Sequence, residues 1–178
     1  MAQPPGLDTP LPLLGGYPEA LLAQVRTALA DGTLGRNLQQ RYPEAHTIRS
    51  DGALYEHASA LKARYLRNAP ALAKVGFEGR LQIDQRALGT LTAVSRVQGE
   101  KLTAKRELRV AAVFKDAPAA MLDMIVVHEL SHLKEREHNK AFYALCDHML
   151  PGYHQVEFDT RLWLTWQQVR AALPPAAN

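Results

Sequence analysis

Apolar residues return every three or four positions in the first third of the chain, then alternate, then return to the longer period. YPEALLAQVRTALADG places Leu21, Leu22, Val25, Ala28 and Leu29 on one face, with Gly32 as a stop signal. LGRNLQQRYP reads as a shorter helix that ends before Pro43. SDGALYEHASALKARYLRN reads as a longer one: Ser50 or Asp51 caps it, and Leu54, Tyr55, Ala58, Leu61, Tyr65 and Leu66 form its buried stripe. KVGFEGRLQI then predicts two short strands about a tight turn at Glu78-Gly79. TAVSRVQGEKLTAKRELRVAAVF predicts a hairpin with Gly99 in its two-residue turn, and Val110, Ala112 and Phe114 alternate onto a buried face. Beyond Pro118 the helical period predicts three more helices, over about 118–134, 138–149 and 156–172. Trp163, Leu164 and Trp166 on the last read as packing residues. Helices, a small antiparallel sheet and further helices make an α+β domain.

At 178 residues the chain has room for one domain, 17–173, with helices over about 17–69 and a core over about 73–173. The Pro/Gly-rich residues 1–16 read as a mobile arm, and the tail after Leu173 as a similar segment. A hydrophobic content of 47% supplies a core, and 22% charge argues against disorder. The lone Cys146 excludes an intrachain disulfide and points to a reducing compartment. The proline-broken N-terminus lacks a basic n-region, and the longest apolar runs are too short to span a bilayer. These features predict a cytoplasmic protein with no membrane partner. The net charge of +3 is compatible with an anionic substrate or a nucleic acid, without singling out either.

The chemistry concentrates in MIVVHELSHLKEREHNKAF, from Met124 to Phe142. Residues four apart on a helix lie one above the other, about 6 Å along the axis, so His128 and His132 can converge on one ion. Glu129, turned by about 100° from His128, can reach a water there and act as general base. A catalytic zinc needs a third protein ligand and one open position. His138 supplies it only if the helix breaks, because on a continued helix it would stand about 9 Å up and 240° round. The break would fall in KERE, which has no glycine, with Asn139 starting the next helix. Asp147, Glu157 and Asp159 are the alternative third ligands. His148 and His154 read as core or surface histidines, and His46 and His57 carry no signal.

VHELSHLKEREHNKAF resembles the YgjP-like family of zinc metallopeptidases, small relatives of the SprT-like and WLM proteins, whose pattern is close to VHELxHLKExxHxKxF. CDHMLPGY is similar to the family's next helix and the Pro-x-Tyr after it. The resemblance runs from about Lys74 to Tyr153. It implies Zn²⁺ held by His128, His132 and His138, with Glu129 as general base. It also implies a minimal zincin fold with a small sheet packed on the metal helix. The chain departs from the family at AVSRVQG, where many members carry Trp-Gly-Ser-Cys. In such folds an edge strand binds peptide by strand addition, which would place LRVAAVF or TAVSRV along the cleft.

Arg96, Lys101, Lys105, Arg106 and Arg109 cluster before the metal helix, and Lys62, Arg64 and Arg67 cluster on the long helix. Such cations can hold a phosphate, or form a solvated face with Glu100 and Glu107. No Gly-rich phosphate loop and no interleaved aromatics accompany them.

Three functions fit the sequence. The leading one is a zinc metallopeptidase acting on a peptide or protein, with Tyr153, His154 or Arg96 steadying the oxyanion. The second is a metal-dependent nucleoside triphosphate pyrophosphatase, an activity given to one family relative. The third is a binding module in which zinc only staples two helices.

Overall fold

The computed structural model describes residues 10–79, 89–98 and 101–172; within the strands, 94–98 and 101–105 are described by backbone alone. Two compact units divide the chain, one of residues 44–156 and one of residues 1–43 with 157–178.

The first unit carries the sheet and the candidate site. Helix α3 (Asp51–Tyr65) starts where the Ser50 side chain accepts the Ala53 N–H. Strands β1 (Leu72–Glu78), β2 (Gly89–Gln98) and β3 (Lys101–Ala111) lie in the order β1-β3-β2. β2 and β3 form the expected antiparallel hairpin, with Gln98 opposite Lys101. β1 instead runs parallel to β3, so the sheet is mixed and not antiparallel. β3, with the buried Leu108 and Val110, takes the central position and pairs on both sides. Turn residues report where a strand ends and say nothing about which strand its successor leaves it beside. The strand proposed after Gly79 and the turn at Gly99 lie outside the described residues. β3 stops at Ala111, and a 3-10 turn over Ala112–Asp116, not strand alternation, buries Phe114. Tyr55 is 42% exposed and lies off the buried stripe of α3.

Helix α4 (Ala119–Ser131) is the central element, with Met121, Leu122, Met124 to Val127 and Glu129 to Ser131 all buried. A helix buried on nearly every face suits a core position. Helix α5 (Lys140–Met149) follows a short turn, and helix α6 (Tyr153–Ala172) begins in this unit.

The other unit holds α1 (Glu19–Ala30), α2 (Thr33–Arg41) and most of α6. Residues 10–16, expected in a mobile arm, are packed: a 3-10 turn over Pro12–Leu14 buries Leu13 and Leu14, and Leu11 is buried beside it. Three leucines anchor this stretch despite its prolines. Trp163 and Leu164 are buried, as packing residues should be. A Cβ on Gly35 would stand 2.5 Å from the Trp166 ring, so glycine lets α2 approach that indole closely.

No helix among the described residues is long and apolar enough to cross a membrane.

Candidate functional site

The site forms where α4 gives out. Its last helical residue is Ser131, and His132 already occupies the cap. The Leu133 N–H donates to the Leu130 carbonyl, and the Lys134 and Glu135 N–H groups donate to Ser131. The chain then turns back through the KERE segment. Among the described residues no non-glycine residue has positive φ, so this turn needs no glycine. Asn139 accepts the Phe142 N–H at 3.0 Å and starts α5. The helix therefore breaks between His132 and His138, as a shared ion would require.

That break returns His138 to the other two imidazoles. Its Nε2 lies 3.1 Å from Nε2 of His128 and 3.1 Å from Nε2 of His132. Nitrogens sharing one tetrahedral ion at ~2.0–2.1 Å would stand roughly 3.3 Å apart. Their spacing fits a single small ion, and the donor set of three imidazoles suits zinc, copper, iron or nickel. Among the described residues these three histidines form the one cluster able to hold a metal ion.

The far side of each ring is held as well. Nδ1 of His132 donates to the Glu135 carbonyl at 3.0 Å, which leaves Nε2 with its lone pair toward the cluster. Burial holds the His132 imidazole below its ordinary pKa, favouring the neutral form. Nδ1 of His128 meets the Tyr153 hydroxyl at 2.6 Å. Phe142, fully buried, packs against all three rings, with centroids 5.0, 4.6 and 4.8 Å from His128, His132 and His138.

Glu129 is only 3% exposed, and burial pushes its carboxyl up to about 8. A nearby dication would act in the opposite sense by favouring the carboxylate. The carboxyl lies beside Gly89 at the start of β2: a Cβ there would stand 2.9 Å from Oε1 of Glu129 and 3.1 Å from the Arg109 carbonyl. Gly89 therefore leaves room for Glu129 beside the sheet.

Glu129 and the three histidines line one cleft of about 600 Å³ with Gly89, Thr90, Leu91, Ala93, Arg106 and Arg136. The volume is that of a small-molecule site. β2 borders it from the sheet's edge, so TAVSRV lies on the edge strand, whereas LRVAAVF begins in the central β3 and ends in the 3-10 turn after it.

The alternative carboxylates are engaged elsewhere. Asp147 accepts the Gly152 N–H, Glu157 pairs with Arg161, and Asp159 accepts from Arg41 and Tyr42. The remaining histidines also have separate surroundings: His46 contacts the Phe114 carbonyl, His57 contacts Asp123, and His148 and His154 lie against Tyr65 and Tyr143. Arg109 is tied to Glu78 and Glu107. Lys62 and Arg67 line a different groove with Tyr55. The side chains of Arg96, Lys101 and Lys105 lie outside the described residues.

Sequence reasoning did not single out Phe142, Gly89 or Arg136 for the site. Phe142 ends the quoted motif and Gly89 opens a strand, but neither spacing nor composition tells that they meet the histidines and Glu129.

Comparisons with known proteins bear on the family of the chain. The model of the YgjP-like metallopeptidase domain matches residues 53–162, which include all three histidines and Glu129. The UTP pyrophosphatase of Escherichia coli (strain K12) is 58% identical over 155 residues, covering 87% of this chain and 93% of that protein. No solved structure matches. The chain therefore belongs to the YgjP-like family of metal-dependent hydrolases.

Proposed function

We propose that the chain is a zinc-dependent nucleoside triphosphate pyrophosphatase, with UTP the first substrate to test. The observation that carries this reading is the presence of Arg106 and Arg136 in the cleft of Glu129 and the three histidines. Neither guanidinium is ion-paired among the described residues. Arginine presents a planar fork of donors that matches phosphate oxygens. The likeness to a UTP pyrophosphatase supports the same reading. Peptide hydrolysis, the leading expectation from sequence, develops one oxyanion for a cation to steady, whereas two guanidinium groups match a chain of phosphates.

In this reading His128, His132 and His138 would hold the ion, which would supply Lewis acidity and a water made acidic enough to lose a proton near neutral pH. Glu129 takes the proton from the attacking water as its oxygen bonds to phosphorus. The anhydride P–O bond breaks, and nucleoside monophosphate and pyrophosphate separate. Arg106 and Arg136 hold the phosphate chain and offset the charge on its oxygens. Neutral imidazoles add no negative charge that would repel the substrate.

Peptide cleavage is the second reading, favoured by β2, whose outer edge borders the cleft and has no strand partner among the described residues. A nucleotide panel and a peptide library, each run on zinc-loaded wild type and Glu129→Gln, separate the two. Nucleotide turnover lost in Glu129→Gln is the expected result. Peptide turnover without nucleotide turnover would replace this proposal with the second reading. Activity toward neither, with zinc firmly bound, would favour the stapled binding module.

A further inference from the structure

Tyr153 is the first residue of α6 and is fully buried. The turn before it is built for a sharp reversal. Gly152 has φ +80°, which side-chain-bearing residues rarely adopt, and its N–H donates to Asp147 at 3.0 Å. The reversal brings the tyrosine hydroxyl to 2.6 Å from Nδ1 of His128. The two rings lie nearly parallel, with interplanar angle 23° and centroids 6.3 Å apart.

The nitrogens of an imidazole point to opposite sides of the ring. A hydroxyl at Nδ1 therefore stands behind His128 as seen from the cluster, where Nε2 of His138 lies 3.1 Å from Nε2 of His128 and 3.1 Å from Nε2 of His132. This is the wrong side for steadying an oxyanion, the role considered for Tyr153 from sequence. It is the right side for choosing the tautomer. If the hydroxyl accepts from Nδ1–H, Nε2 is left with a lone pair. If the hydroxyl donates to a bare Nδ1, Nε2 carries the proton and cannot ligate.

We infer that Tyr153 is a positioning residue for the metal centre: its hydroxyl accepts the Nδ1–H of His128 and so aims the Nε2 lone pair at the ion. Glu135 does the same for His132 through a backbone carbonyl, which no side-chain substitution can remove. Tyr153 does it through a side chain and can be tested. The inference rests on the metal-site reading above, but not on the choice between nucleotide and peptide.

The test is zinc affinity by competition with a chromophoric chelator, for wild type and Tyr153→Phe. Phenylalanine keeps the buried ring and removes the hydroxyl. The expected result is zinc binding weaker by about 10- to 100-fold, with the zinc-free variant still folded by circular dichroism. Equal affinity in the two proteins would overturn the inference and leave the metal site standing. Wild type that binds no zinc would remove both. Should Tyr153→Phe not fold, nitrogen-15 spectra of the histidines in zinc-loaded wild type decide the matter. A His128 Nδ1–H protected from solvent exchange supports the inference; zinc on Nδ1, or a freely exchanging Nδ1–H, overturns it.

Discussion

Each charged side chain in the cleft has a separable consequence. Glu129→Gln keeps the carboxylate's shape and removes its basicity, so zinc content should match wild type while turnover falls by about 10²- to 10⁴-fold. Metal analysis and kinetics on one preparation check this, and loss of zinc as well would mean Glu129 has another role. The same substitution has a pH signature in the metal-free protein. Burial raises this carboxyl from 4.5 to about 8, so the folded state favours the neutral acid. Stability is then intact below about pH 4.5 and falls as pH rises toward 8, because the unfolded chain ionises first. Thermal melts in chelator should show that loss in wild type and a flatter profile in Glu129→Gln. Arg136 lies exposed in the turn between α4 and α5, where truncation disturbs little packing. Arg136→Ala should raise KM for a nucleoside triphosphate roughly 10- to 100-fold, the worth of a charge-assisted bond to phosphate. Peptide turnover, if present, should not follow it.

Elements matter through how closely they approach. β2 reaches α4 at Gly89, where a Cβ would crowd Oε1 of Glu129. Gly89→Ala should therefore move the carboxylate and cost on the order of 100-fold in kcat, while zinc content is kept. An unchanged kcat would show that Glu129 has slack. α5 contributes the Phe142 ring against the three imidazoles. Phe142→Ala should cost about 3–5 kcal/mol in denaturant unfolding and loosen the rings enough to weaken zinc binding. The helices were legible from their periods, and the ends of α3 and α5 from Ser50 and Asn139. The β2–β3 hairpin was legible from two apolar runs separated by two residues. The parallel partnership of β1 with β3 was not, because pairing between strands distant in sequence depends on which buried faces meet.

For the molecule as a whole, the three histidines, Glu129, Tyr153 and the cleft all fall within the unit of residues 44–156. Zinc that binds only the folded form should raise its melting temperature, by an amount equivalent to about 2.7 kcal/mol at 100 times Kd. Chelator should reverse the shift, and His128→Ala or His132→Ala should abolish it. The sequence by itself determined the candidate metal-binding histidines of the i,i+4 pair and the neighbouring carboxylate, because helix geometry makes close spacing along the chain equivalent to closeness in space. It also showed that His138 could join the pair only through a broken helix. Tertiary structure alone decided that the break occurs, that Phe142 packs against the cluster, that Gly89 makes room for Glu129, and that Tyr153 stands behind His128. The last three of these join different elements. No local period encodes them; the packing of buried faces sets them.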